Sequence, residues 1–308
     1  MREHERETVD FEVWPEAIEL GEMFAEEGYE LALVGGPVRD LLLHRRSHDL
    51  DFCTSARPEQ FEPILRRWGH DGFWDMGRKF GTLGAMRRRP DGTEVQVEIT
   101  TYRSDAYDPD SRKPEVSYGD SLEGDLSRRD FTVNAMALRV PDLEFVDPFG
   151  GANDLSKRVL RTPVDPRQSF DDDPLRMMRA VRFVAQLGFG IEPETAEAIC
   201  TMADRLGIVS AERVRDELTK MLLSDRPRAG IEALVESGLA DIVFPEIPAL
   251  ELQIDEHHRH KDVFEHTMIV LDRAVALETD DDGPVPRPDL TLRLAALMHD
   301  IGKPKTRR

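Results

Sequence analysis

The sequence lacks the features that would place it outside the cell or within a membrane. It has two cysteines in 308 residues, Cys53 and Cys200, far apart and outside any C-x-x-C pattern. That excludes a disulfide-stapled framework and reads as two free thiols in a reducing cytosol. Residues 1–6, Met-Arg-Glu-His-Glu-Arg, are too charged for the apolar core of a signal peptide, and no apolar run approaches spanning length. The expected location is cytoplasmic, with no membrane partner. There is no internal repeat of solenoid period and no G-x-x-x-x-G-K-[ST] phosphate loop. A positive charge excess is also missing. The 41 Lys and Arg against 61 Asp and Glu leave a net charge of −20, the wrong sign for a uniformly basic nucleic-acid binder. The basic residues cluster at Arg45-Arg46, Arg66-Arg67, Arg87-Arg88-Arg89, Arg128-Arg129 and Lys303 to Arg308. Each cluster reads either as a solvated face or as part of a basic stripe.

What is present is an ordinary globular composition, 40% hydrophobic and 33% charged, at a length that suggests roughly two domains. From about Leu31 to Asp147 short runs rich in β-branched or aromatic residues alternate with Gly, Pro and Asp. Leu31–Val34, Asp49–Phe52, Gly81–Met86, Glu94–Tyr102 and Ala135–Val140 are expected strands. From about Pro174 the spacing becomes helical, over 174–187, 193–206, 210–223 and 228–238. Residues 278–288 (ETDDDGPVPRP) read as an acidic loop. The expected fold is α+β, a small-sheet module followed by an all-helical part.

Within 48–52 (HDLDF), strand geometry points Asp49 and Asp51 to one face and Leu50 and Phe52 to the other. Paired carboxylates are costly unless a cation neutralises them, and hard oxygen ligands suit Mg²⁺. The spacing alone is weak, because Asp108-x-Asp110, Asp171-x-Asp173 and Asp280-x-Asp282 share it. The preceding LALVGGPVRDLLL (31–43) reads as a strand, a turn at Gly35-Gly36 and a helix opened by Pro37, with Arg39 in its first turn. Glycine there admits a phosphate close to the backbone N–H groups, and Arg39 can fork onto its oxygens; an ordinary strand–helix turn with a surface arginine fits equally. Glu98, on the strand Val95–Ile99, either completes a three-acid site or faces solvent.

In 171–183 (DDDPLRMMRAVRF), Asp171 or Asp172 is expected to cap a helix with Pro174 in its first turn. Asp173 and Arg176, three apart, then share a surface. An ionised Asp only accepts and Arg only donates, so the pair matches the amino donor and ring-nitrogen acceptor of cytosine and adenine and mismatches uracil and guanine. Arg179 and Arg182 follow as candidate base or phosphate contacts. The alternative is a capped amphipathic helix with an internal ion pair.

Taken together, LVGGPVRDLLL (33–43), HDLDFCTSARPE (48–59), VEITTYR (97–103), DLSRRDFTVNAMAL (125–138), DPFGGANDL (147–155), DDDPLRMMRAVRFVAQLGF (171–189) and SAERVRDEL (210–218) resemble, in order, the class II tRNA nucleotidyltransferase and poly(A) polymerase family, in particular bacterial CCA-adding enzymes. The resemblance implies a catalytic head over 1–150, a helical neck and body over 151–250 and a further helical segment over 251–308. It implies that Asp49 and Asp51 hold Mg²⁺ with Glu98 as third carboxylate. Gly35, Gly36, Arg39, Arg129 and Asn134 would bind nucleotide, Asp130 the ribose hydroxyls, and Asp173 with Arg176 the base. The implied substrates are CTP, ATP and the tRNA 3′ end. Asp172 stands where many relatives carry Glu. The polar stretch 103–124 fits a loop linked in this family to the change from C to A addition. Poly(A) polymerase and CC-only or A-only enzymes are the related alternatives.

Towards the end, His257, His258, His260 and His266 precede His299-Asp300 in ALMHDIGKPKTRR (296–308). This resembles the HD metal-dependent phosphohydrolases, with His266, His299 and Asp300 as an incomplete ligand set, a truncated or vestigial domain. A hydrolase acting through these residues, and an RNA-binding or chaperone-like protein without chemistry, are the competing function classes.

Overall fold

Leu31–Val34 (β1) is apolar throughout and fully buried, the mark of a strand covered on both faces. It lies inside a seven-stranded sheet. The strands are β2 (Asp49–Thr54), β3 (Gly72–Trp74), β4 (Thr82–Arg88), β5 (Glu94–Thr101), β8 (Ala137–Val140) and β9 (Glu144–Val146), in the order β3-β4-β5-β2-β1-β8-β9. Only the β2–β5 pair is parallel; its neighbours pair antiparallel. A separate hairpin, β6 (Arg103–Ala106) with β7 (Glu115–Tyr118), stands apart from the sheet. The computed structural model describes residues 13–45, 49–106, 115–119, 121–251, 263–278, 285 and 287–306, and the chain forms two compact units, Met1–Lys157 and Arg158–Arg308.

In the first unit, α1 (Pro15–Glu26) packs on β1 and β8, and α3 (Pro58–Trp68) on β4. Phe24 meets Phe61 between the two helices, ring centroids 6.0 Å apart. The Arg87-Arg88-Arg89 cluster is engaged locally. Arg87 and Arg89 fork onto Glu19 and Glu16 of α1, and Arg88 pairs with Glu94 across the β4–β5 hairpin. These are ties from sheet to helix and from strand to strand rather than a basic stripe. On the opposite face, alternation along β1 and β2 puts Ala32, Val34 and Cys53 under Leu122 and Leu126 of α4 (Leu122–Ser127). That cover stops at Cys53, and the same face runs on, open, to Asp51 and Asp49. Between β1 and β2 lies α2 (Gly36–Leu42), and α5 (Gly151–Lys157) closes the unit.

The second unit is helical apart from a two-residue parallel pair, β10 (Val159–Leu160) with β11 (Gly190–Ile191). Helices α6 (Pro166–Asp172), α7 (Leu175–Leu187), α8 (Pro193–Met202), α9 (Ala211–Leu222), α10 (Pro227–Glu236) and α11 (Leu239–Val243) precede α12 (Val263–Leu277), α13 (Leu290–Met298) and the short α14 (Lys303–Thr306). The α7, α9 and α10 faces pack together. Gly188 ends α7 in the left-handed region, φ 69°, the usual helix terminator. One local expectation is corrected. Asp171 and Asp172 do not cap α7. They are the last turn of α6, because Asp165 caps that helix through Arg167 and Gln168 N–H groups and Pro166 starts it. Asp173 and Pro174 are the bend between the two helices.

His257, His258, His260, His48, the Asp108-x-Asp110 and Asp280-x-Asp282 pairs, and residues 107–114 and 120 of the 103–124 stretch lie outside the described residues.

Candidate active site

The parallel β2–β5 pair sets the site. Its register places Asp51 opposite Glu98 and Asp49 opposite Gln96. Leu50 and Phe52 turn into the core, 1% and 2% exposed, so Asp49 and Asp51 must turn outward. Glu98, between buried Val97 and Ile99, faces the same way. The three carboxylates border an opening of about 320 Å³. The Asp51 carboxyl is pushed above its ordinary range, mainly by burial and further by Glu98 and Asp49, with Arg129 pulling the other way. A carboxyl raised by two carboxylates beside it belongs to a hard, anionic donor set, and a small divalent cation is the group that fits it.

Beside this row stands a basic wall. A second opening of about 140 Å³ shares Asp51 and Glu98 with the first and adds Thr100, Arg103, Arg128 and Arg129. Its arginines are organised by Asp125, buried within α4. Asp125 Oδ1 accepts from Arg128 Nη2 at 2.9 Å, Oδ2 from Arg129 Nη2 at 3.0 Å, and the Arg103 backbone N–H reaches Oδ1 at 3.3 Å. Burial works to raise this carboxyl, but Arg129 and Arg128 outweigh it and hold it below the usual aspartate range. Arg103 Nη2 donates to Thr82 Oγ1 at 3.0 Å. Asp125, Arg103 and Thr82 were not singled out from the sequence. The signal for Asp125 was there, since it precedes Arg128 and Arg129 by three and four residues, the spacing at which helical side chains meet.

Gly35 sits at φ 74°, and a Cβ on it would lie 2.9 Å from Arg129 Nη1. The turn is therefore glycine both for its backbone conformation and for the guanidinium laid against it. Arg39 Nη1 donates to Asn134 Oδ1 at 2.8 Å, and Asn134 Nδ2 donates to Asp130 Oδ1 at 3.0 Å. The predicted residues Gly35, Arg129, Arg39, Asn134 and Asp130 thus form two connected sets. Gly36 lies on the same turn, where its Cβ position would be 3.6 Å from Arg39 Nη2.

In the second unit, Asp173 precedes α7 instead of lying on it, and the Arg176 backbone N–H donates to the Asp173 carbonyl at 3.0 Å. Asp173 is in extended backbone, φ −144° and ψ 98°. Its Oδ1 accepts from Leu175 N–H at 3.2 Å and its Oδ2 from Arg213 Nη2 at 3.0 Å. Arg176, buried, turns back to Ser169, donating to its Oγ at 2.8 Å and its carbonyl at 3.2 Å. Arg182 and Arg179 approach Glu217 of α9, at 2.5 and 3.9 Å. The resulting lattice of α6, α7 and α9 depends on Arg213 and Glu217, which the sequence pattern did not assign. His266, His299 and Asp300 also come together. Their ligand atoms lie within 4.8 Å of one another, the rings are 5.4 Å apart, and Lys303 Nζ donates to Asp300 Oδ2 at 2.7 Å.

Residues 31–161 match the poly A polymerase head domain, and residues 188–250 match a probable RNA and SrmB-binding site of polymerase A. A CCA-adding enzyme of Lactobacillus johnsonii is 39% identical over 233 residues, 75% of this chain and 56% of its own length. The crystal structure of the Bacillus stearothermophilus CCA-adding enzyme in complex with CTP superposes with a TM-score of 0.64 at 37% identity, covering 74% of this chain and 53% of that one. A tRNA nucleotidyltransferase complexed with a primer tRNA and an incoming ATP analogue gives a TM-score of 0.66 at 26% identity, covering 83% and 68%. The chain spans little more than half the length of the curated relatives it matches. With two consecutive regions matched and a fold shared with these structures, the chain belongs to the tRNA nucleotidyltransferase and poly(A) polymerase family.

Proposed function

We propose that this chain is the catalytic part of a CCA-adding enzyme, which adds C, C and A to the 3′ end of tRNA from CTP and ATP and releases pyrophosphate. The observation that carries this reading is the register that sets Asp51 against Glu98, with Asp49 on the same face and the Arg128–Arg129 wall beside them. The RNA 3′-hydroxyl attacks the α-phosphate in line, a bond from that oxygen to phosphorus forms, and the bond to the leaving pyrophosphate breaks. Asp49, Asp51 and Glu98 would hold Mg²⁺, which when bound lowers the hydroxyl pKa and neutralises charge on the attacking and leaving oxygens. Arg129, fixed by Asp125 against the Gly35 turn, and Arg128 supply positive charge for the triphosphate. Asp130, aligned by Asn134 and Arg39, accepts from ribose hydroxyls. Asp173 and Arg176 present the acceptor and donor that select cytosine and adenine. The domain limits 1–150, 151–250 and 251–308 and a cytoplasmic location belong to the same proposal.

Incubation with tRNA lacking its terminal CCA, with labelled CTP and ATP separately and together, tests it. Ordered incorporation of both supports the reading. ATP alone added to any RNA identifies a poly(A) polymerase, CTP alone a CC-adding enzyme, and no incorporation sinks all three. A second reading applies to His266, His299 and Asp300, whose clustering favours an HD-type metal site and phosphohydrolase chemistry. The His299 Nδ1 lies 2.8 Å from the Ala296 carbonyl. A proton held there leaves Nε2 as the ligating atom.

A further inference from the structure

Three strands bring an aromatic side chain to the edge of the carboxylate row. The β3–β4 register sets Trp74 opposite Gly84, and the β4–β5 register sets Gly84 opposite Glu98. Continued through Asp51, this is one lateral line across the sheet: Trp74, Gly84, Glu98, Asp51. At Gly84 the indole fills the space a side chain would take, since a Cβ built there falls 2.1–2.4 Å from three of its ring atoms. The ring therefore lies over β4 on the carboxylate face. Its Nε1 donates to Glu98 Oε1 at 3.4 Å. It is only half-buried, although Trp68 on the neighbouring helix is wholly enclosed. The turn that follows exposes Met76 and Phe80, at 85% and 43%, beside Lys79, whose ammonium lies 4.7 Å from the Phe80 ring.

We propose that the Trp74 indole is the stacking surface for the base of the RNA's 3′-terminal nucleotide. The inference rests on the reading of Glu98 as a carboxylate of the catalytic row. A 3′-hydroxyl presented to that row lies beside Glu98, and its base is one ribose away, the neighbourhood the indole occupies. A flat, half-open ring suits an unpaired nucleobase whatever its identity, because every base has a stacking face. That tolerance matches a site that takes any base before the first addition and cytosine before the next two. The bare Gly84 is what lets the indole lie down between β3 and Glu98.

The test uses an acceptor-stem RNA minihelix ending in CC, blocked by a 3′-deoxy terminus so that binding is read without chemistry. Titration into the full chain should quench tryptophan emission, the quench should vanish in Trp74→Phe because the reporter is lost, and an RNA abasic at its last nucleotide should bind wild type about fivefold or more weakly. Trp74→Ala should weaken binding of the intact RNA by a similar factor and leave its KM for CTP unchanged. Trp74→Phe keeps a ring and loses the N–H, so near-normal RNA affinity in this variant supports stacking. Equal loss in Trp74→Phe and Trp74→Ala overturns it in favour of a positioning bond to Glu98. A rise in KM for CTP alone overturns it in favour of the incoming base. Absence of nucleotide incorporation by wild type, with the quench and the abasic effect intact, rejects the polymerase reading and leaves the stacking site standing.

Discussion

Asp51 and Glu98 stand opposite each other on the only parallel pair of the sheet, residues 47 positions apart in the chain and adjacent in space. Their carboxylates, with Asp49, lie on this sheet face beyond the cover of α4 and border an opening. Replacing Asp51 by Asn removes a charge and preserves shape. Incorporation of CTP and ATP is expected to fall by about three orders of magnitude or more, while thermal stability holds or rises slightly as carboxylate repulsion is relieved. Parallel extension assays and melting curves check this. Retained activity would remove Asp51 from the metal reading.

Asp125 is a positioning residue rather than a substrate contact. In Asp125→Glu the charge stays and the longer side chain shifts both arginines. Nucleotide affinity, measured by CTP titration without RNA, is expected to drop about tenfold with little change in melting temperature. Asp125→Asn leaves Arg128 and Arg129 without their buried counter-charge, and its stability should fall with its affinity, by about 3–5 kcal/mol. An Asp125→Glu protein that binds CTP normally would show that the arginines are held by other means.

Asp173 is oriented by Arg213. Arg213→Ala releases one oxygen of the carboxylate proposed to read the base, and discrimination of CTP and ATP against UTP and GTP is expected to weaken about tenfold. Changing Asp173 and Arg176 together should admit UTP or GTP outright. Competition assays with the four nucleotides decide; unaltered preference in the double variant excludes a protein template.

Arg293 and Glu278 form a buried pair, with two contacts of 2.6 Å, and Arg293 also donates to the Leu222 and Ser224 carbonyls at 2.5 and 2.6 Å. The Arg293 hydrogen bond holds the Glu278 carboxyl below its ordinary 4.5. A carboxyl depressed in the folded state stabilises fully above its unfolded pKa, and that contribution is lost as pH falls through the folded value. Unfolding midpoints of the wild type should therefore decline below about pH 4.5. Glu278→Gln should be destabilised by about 3–5 kcal/mol at neutral pH and show a shallower acid decline.

Lys303 occupies Asp300, the carboxylate of the His266–His299 cluster. If the cluster takes a metal, Lys303→Ala should tighten Mn²⁺ or Ni²⁺ binding by calorimetry and Asp300→Ala should abolish one site, both without effect on incorporation. A full chain that binds neither ion beyond the Asp49–Asp51 site ends the HD reading for these residues.

The strands β1, β2, β4 and β5 and the helices α7 to α10 were legible because alternation and helical spacing are local properties of the chain. So was the outward turn of Asp49 and Asp51, which follows from strand period alone. The pairing of β2 with β5 was not. Nothing local distinguishes Glu98 on a solvent face from Glu98 beside Asp51; the register decided that, and burying Leu50, Phe52, Val97 and Ile99 together rules out a one-residue slip. The same holds for Trp74, which reaches Glu98 only because Gly84 lies between them. Asp171 and Asp172 do not cap α7 because the Asp165-Pro166 start one helix earlier places them in the last turn of α6. The sequence by itself determined the alternation of the strands and the spacing of the helices, and with them the face of β2 that carries Asp49 and Asp51. The tertiary structure alone decided which side chains meet, because side-chain neighbours across a sheet are set by strand order and register, and neither is written in any single segment.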